Sequence, residues 1–188
     1  MLELIAPTQN IPPSLEKRLE IFRHQAAGLA YIRRWNGACE VTVAQHCVQA
    51  CDLASSQAAG YALLHDIEEF DTGDIISPVK NTLRRLGVWQ RFETEIVLPI
   101  RRHFTLLAGL EWPWPQAVLH EVQEIDQRLK ATEYRDCVDP SLVQLNAGDL
   151  AAPFDDYMQP WSAIKAERVF MERVRCVLPA LRGCDAGW

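Results

Sequence analysis

A histidine and an aspartate stand side by side in Leu64-His65-Asp66-Ile67-Glu68-Glu69, and Thr72-Gly73-Asp74 and Pro78 follow at once. Imidazole and carboxylate together hold divalent cations that polarise a phosphate oxygen and acidify water near neutral pH. Two ligands are too few, so partners must come from elsewhere in the chain. His46 is the first candidate, because its neighbours Val43 and Ala50 put it on a mostly inward helix face. Asp126 is the second: Val122 and Leu129, one turn to either side, set it at the border of an apolar stripe. A charge there is costly to bury unless something compensates, and a metal would. Taken singly, each has a plainer reading: His46 a core histidine, Asp126 an ion-pair member, His65-Asp66 a surface pair. Taken together, His46, His65, Asp66 and Asp126 read as a single-metal hydrolase site, with Glu69 one turn beyond His65 as its proton-transfer group.

The elements that must position these residues have helical spacing, and strand-like alternation is scarce. After Pro12-Pro13-Ser14 a helix is predicted over Leu15–Ala30, with a break near Gly28. Thr42-Val43-Ala44-Gln45 fits a capping box in which the Thr42 hydroxyl and the Gln45 amide each satisfy a free backbone donor, starting a helix that carries His46 to about Ser55. A continuous helix is predicted over Gln57–Phe70, closed by Thr72-Gly73. Ser77 as N-cap before Pro78 starts a short one to Leu86. Trp89–Leu107 shows an inward stripe at Phe92, Ile96, Ile100 and Phe104, kinked by Pro99. After Pro115 the clearest helix carries Val118, Val122, Ile125 and Leu129 on one face, and a loop over Asp139–Pro160 leads to a last helix over Ala163–Leu181 with Phe170, Val174, Val177 and Leu181 inward. The tail Arg182–Trp188 reads as loose. The expectation is an all-α single-domain bundle of about seven helices spanning residues 1–188.

Composition narrows the function classes. A chain of 188 residues buries roughly 70% of its unfolded surface in one core and needs no disulfide staples. The six cysteines, Cys39, Cys47, Cys51, Cys137, Cys176 and Cys184, form no CxxC pair and read as thiols in a reducing cytoplasm. No apolar run approaches the roughly 20 residues of a membrane span, and Met1–Pro7 lacks the basic start and apolar stretch of a secretory signal. A net charge of −6 argues against nucleic-acid polymers and anionic membranes, but not against a small anion met by a cation and local arginines.

Three segments carry a resemblance: Thr42-Val43-Ala44-Gln45-His46-Cys47-Val48; Ala62 to Lys80, with His65-Asp66, Glu69, Gly73-Asp74, Pro78 and Lys80; and Ile125-Asp126 to Thr132-Glu133. Spread over about residues 33–135, they resemble the HD-domain metal-dependent phosphohydrolases, and most of all the bacterial and phage 5′-deoxyribonucleotidase-like members. The resemblance implies that His46, His65, Asp66 and Asp126 hold one divalent ion (Mn, Co, Zn, Fe or Mg). It implies that Glu69 positions or deprotonates the attacking water and that Asp74 assists the water or the leaving oxygen. Arg34-Trp35 stands where the nucleotidases keep an arginine-aromatic pair for phosphate and sugar, with Arg33 as an alternative to Arg34. Lys80 pairs with phosphate or is a solvated helix lysine. Glu133, on the Asp126 face, buttresses the site or is exposed. His24, His103 and His120 match no ligand position and read as structural or surface residues, and Trp112, Trp114 and Trp161 as loop packing.

The implied reaction is phosphate release from deoxynucleoside monophosphates, with two alternatives: triphosphate release from a deoxynucleoside triphosphate, or a catalytically idle nucleotide or metal sensor. Glu69 and Asp74 count against the sensor, which needs neither. Hydrolysis of cyclic nucleotides or alarmones lacks the extra histidines of a second metal. The expected partner is a small nucleotide, and the apolar stripes permit a homodimer or larger homo-oligomer.

Overall fold

The computed structural model describes residues 12–143 and 150–182; the amino-terminal segment, part of the long loop and the tail beyond Arg182 lie outside the described residues. Its helices are α1 (Leu15–Leu29), α2 (Val43–Leu53), α3 (Ala59–Leu63), α4 (Glu69–Thr72), α5 (Ser77–Arg85), α6 (Trp89–Phe92), α7 (Leu98–Leu107), α8 (Gln116–Asp136) and α9 (Ala163–Val177). Among the described residues there is no strand, and the extended pairing is one isolated antiparallel bridge between Arg33 and Thr42. The chain is all-α. None of these helices is long and apolar enough to cross a membrane.

A helix that is apolar nearly all round must be buried on every side. That helix is α2: Val43, Ala44, Cys47, Val48, Ala50 and Cys51 are all buried, and so are the polar Gln45 and His46. On one side α2 meets Phe22, Ala26 and Leu29 of α1, Phe104 of α7 and Phe170 and Val174 of α9. On the other, Ala50 joins a second core with Tyr61 and Ala62 of α3 and Val118, Val122, Ile125 and Leu129 of α8. His46 is therefore presented from the centre of the fold.

The Thr42 hydroxyl caps α2 by accepting from Gln45 N–H at 3.3 Å. The other half of the expected capping box is not made. Gln45 instead donates to the Gln159 carbonyl at 2.9 Å and accepts from Trp161 N–H at 2.8 Å. Two backbone groups of the loop before α9 need partners where it packs on α2, and the Gln45 amide supplies both.

The predicted helix over Gln57–Phe70 is broken where the chemistry lies. Residues 64–68 form tight turns between α3 and α4, with three-residue bonds from Leu64 N–H to Tyr61, Ile67 to Leu64 and Glu69 to Asp66. The Ala62 carbonyl, which an unbroken helix would offer to the Asp66 N–H, is taken by His65 Nδ1 at 2.7 Å. His65 and Glu69 therefore do not share one regular helix face. The Trp89–Leu107 helix is divided too. Pro99 has no N–H for the Glu95 carbonyl, and a π-turn at Glu93–Val97 takes up the lost bond. Its extra residue rotates the register, so Val97 is 7% exposed while the predicted inward Ile96 is 41% exposed. Two further bounds move: Ser77 is the first residue of α5 rather than its cap, and the last helix stops at Val177, with a separate 3₁₀ turn at Pro179–Leu181. The expected inward Val177 is only half-buried, and Leu178 fills the core instead.

Gly28 does not break α1. It lets the Phe70 ring of α4 lie directly on the helix: a Cβ there would stand 2.2 Å from Phe70 Cε2. This contact seats the residue next to Glu69. Gly28→Ala gains up to about 1 kcal/mol of helix propensity, while overpacking typically costs about 1–3 kcal/mol. A net loss of up to about 2 kcal/mol is expected in urea melts; a raised midpoint would show that Phe70 yields without cost.

Candidate metal centre

Four donors from three elements meet at one point. His46 comes from α2, His65 and Asp66 from the turns between α3 and α4, and Asp126 from α8. His46 Nε2 lies 3.1 Å from His65 Nε2 and 3.1 Å from Asp126 Oδ1. His65 Nε2 lies 3.3 Å from Asp66 Oδ2 and 3.7 Å from Asp126 Oδ1. One ligand atom from each of the four falls within 4.8 Å of the others.

The hydrogen bonds decide which ring nitrogens are free. His46 Nδ1 is 2.6 Å from a Glu133 carboxylate oxygen, and His65 Nδ1 is 2.7 Å from the Ala62 carbonyl. Both oxygens can only accept, so both Nδ1 atoms carry hydrogen and a neutral ring turns its Nε2 lone pair inward. Two lone pairs and two carboxylates facing one another in a buried site require a shared positive charge. Donors about 2.0–2.2 Å from one ion stand roughly 3.0–3.5 Å apart when adjacent, which matches the closest pairs. The donor set therefore fits a divalent cation. The electrostatics agree: burial pushes the His65 imidazole toward neutrality, yet Asp66 and Asp126 hold it well above the usual histidine range. Burial likewise opposes the charge on Asp126, yet Lys130, 2.6 Å away, with His46 and His65, holds it well below the usual carboxylate range.

A second layer surrounds these donors. Glu133 is fully buried, which leaves it the buttress rather than the exposed residue. It accepts from His46 Nδ1, from Trp35 Nε1 at 2.8 Å and from Arg34 Nε at 3.3 Å. Burial alone would raise its pKa, but Arg34 and His46 lower it from 4.5 to about 2. Arg34 is 3% exposed, and its Nη1 lies 3.1 Å from Asp66, 3.8 Å from Asp74 and 3.9 Å from Glu69. Arg33, the alternative at this place, lines neither cavity of the site and pairs with Glu40 in solvent. The intervening bridge to Thr42 sends the two neighbouring side chains in different directions. Asp74 accepts from Asn36 N–H at 3.3 Å. Burial, with the charges of Asp66 and Asp74, pushes the Glu69 carboxyl well up, and its Oε2 has no hydrogen-bond partner.

Three of the four donors border a cavity of about 680 Å³, lined by His65, Asp66, Glu69 and Asp126 and also by Lys80, Arg84, Trp89, Arg101 and Trp114. A smaller recess of about 30 Å³ beside it is lined by Arg34, Trp35, Asp66, Asp74, Lys80 and Lys130. Sequence reasoning gave no role to Glu68, Arg84, Trp89, Arg101 or Lys130, all of which line the cavity. Lys130 was legible as the residue four beyond Asp126. Glu68 and Arg101, paired with each other through Arg101 Nε at 3.2 Å, were not, since 33 residues separate them. Trp114 packs edge-on against Tyr61, as loop packing would have it, and also reaches the cavity. His24, His103 and His120 are exposed and outside the cluster. The five described cysteines are free thiols.

No family model matches the chain. An uncharacterized protein of Rhodobacter capsulatus is 29% identical over 143 residues, covering 70% of this chain and 67% of its own length.

Glu133→Gln tests the second layer in two ways. The Glu133 pKa is depressed on folding, so its stabilisation is full above 4.5 and is lost as pH falls through about 2. It amounts to something on the order of 3 kcal/mol. In urea melts of the metal-free protein, the stability difference between wild type and Glu133→Gln should shrink as pH drops across that window. The same variant should bind metal about 10–100-fold more weakly in chelator competition; wild-type affinity would remove Glu133 from the support of His46.

Proposed function

We propose that this chain is a metal-dependent phosphohydrolase acting on deoxynucleoside phosphates. The observation that carries the reading is the joining of two buried histidines and two half-buried aspartates to a buried carboxylate, Glu69, which lines a cavity large enough for a nucleotide. The substrate class follows from the resemblance of the three motifs.

His46, His65, Asp66 and Asp126 hold the ion. Bound there, a divalent cation neutralises phosphoryl oxygens and makes water a better nucleophile. Glu69 takes the proton of the attacking water: burial and the neighbouring carboxylates raise its pKa, which makes its ionised form a stronger base than an exposed glutamate. Asp74, fixed by Asn36 N–H and near Arg34, assists at the leaving oxygen. The recess lined by Arg34, Lys80 and Lys130 offers cationic hydrogen-bond donors to a phosphate oxygen. Trp35, its indole N–H tied to Glu133, offers its ring to the sugar side. Whether orthophosphate or a longer chain leaves depends on how many phosphates are held beyond the first.

The sensor reading is the weaker, because a binding module gains nothing from a buried carboxylate with one oxygen left without a hydrogen bond. The test is phosphate release from nucleoside mono-, di- and triphosphates by metal-stripped protein resupplied with Mn, Co, Zn, Fe or Mg. Deoxynucleotides should be turned over. His65→Ala and Asp66→Ala should lose bound metal and turnover together. Glu69→Ala should keep metal while turnover falls about 10²–10⁴-fold; full activity there would remove Glu69 from the chemistry. Silence of the wild type with every metal, alongside tight nucleotide binding in calorimetry, would replace the hydrolase with the sensor.

A further inference from the structure

Part of the cavity wall is built by α5 in an unusual way. α5 has no buried residue: its Val79 is 45% exposed, and Leu86, which caps its end, is 65% exposed. The side it turns to the cavity carries Lys80 and Arg84 instead. A helix that keeps its apolar groups in water and its cations in a concave site is not arranged by burial of apolar surface. Both cations are held against one ring: Lys80 Nζ is 5.9 Å and Arg84 Cζ 5.0 Å from the Trp89 centroid.

Neither cation is locked in an ion pair, although Lys80 is near enough to lower the Glu69 carboxyl. Of the four cations lining the cavity, Arg101 is bound to Glu68 and Lys130 to Asp126. Among the described residues neither Lys80 nor Arg84 has a carboxylate partner, and Arg84 Nη1 donates only to the neutral Asn81 side chain at 2.9 Å. Both line the large cavity, Arg84 one turn further along α5. Of the two, Lys80 alone also borders the recess that Asp66 lines.

We propose that Lys80 and Arg84, stacked on Trp89, form a second anion subsite that takes phosphates beyond the one at the quartet, so that the preferred substrate is a nucleoside triphosphate rather than a monophosphate. The placing of the first phosphate rests on the phosphohydrolase reading. Arg84, farther from the quartet, is the residue whose contribution depends on chain length.

The experiment is calorimetry on the metal-loaded full chain with inorganic triphosphate and orthophosphate as probes, beside kcat/KM for deoxynucleoside tri- and monophosphates. Wild type should bind triphosphate at least about tenfold more tightly than orthophosphate, the size of one charge-assisted contact. Arg84→Ala should reduce that preference about tenfold, and Arg84→Lys should restore most of it. Arg84 is exposed on a helix without buried residues, so the variants fold. Equal loss for both probes, or none, overturns the subsite. Turnover of monophosphates without any triphosphate preference overturns the subsite and leaves the hydrolase. An intact preference that Arg84→Ala removes, in a protein inert toward every nucleotide, overturns the hydrolase and leaves the subsite.

Discussion

Glu133 has no contact with solvent, and donors from two separate parts of the chain converge on it: His46 from α2, and Arg34 and Trp35 from the segment before α2. An ionised carboxylate in such a place costs several kcal/mol unless every lone pair is met. Meeting them fixes much else. It orients the His46 ring with Nε2 inward, holds the Arg34 fork against Asp66, and pins the Trp35 indole over α8. The backbone yields to this demand. Trp35 and Asn36 both have left-handed φ values, 59° and 53°, a conformation that costs about 1–3 kcal/mol per residue outside glycine. The bonds of the Trp35 indole to Glu133 and of Asn36 N–H to Asp74 hold the chain there.

Around that anchor the site is a problem in charge balance. Asp66, Glu68, Glu69, Asp126 and Glu133 are all largely out of water, and Arg34, Arg101 and Lys130 answer them in part. Where the answer is complete, as at Glu133, the carboxyl is held ionised to about pH 2. Where it is incomplete the site is primed: His65 is driven toward its charged form, and Glu69 toward its neutral one. A cation seated among the four donors would offset the negative charge of Asp66 and Asp126 in place of a proton on His65.

How far this was legible depends on the range of the interaction. Helix identities followed from apolar spacing, because Val118, Val122, Ile125 and Leu129 need only one face and one partner. The Thr42 cap followed because it closes within three residues. Errors came where a side chain or a missing N–H competed with the backbone: His65 took the Ala62 carbonyl and unwound the predicted helix, Pro99 forced a π-turn that exchanged Ile96 for Val97, and Gln45 turned to a loop 114 residues away. Arg33 and Arg34 could not be told apart, since adjacent residues of one type differ only in which way the backbone turns them.

By itself the sequence determined the all-α class, the approximate helices and the four donor residues, because local spacing and residue chemistry set these whatever the rest of the chain does. Only the tertiary structure decided that the four donors meet, that Arg34 rather than Arg33 faces them, that Glu133 supports His46, and that Lys80 and Arg84 face the same cavity. Those outcomes depend on contacts between distant segments, such as the 87 residues between His46 and Glu133, and on the need of each buried charge for a partner, which no local pattern encodes.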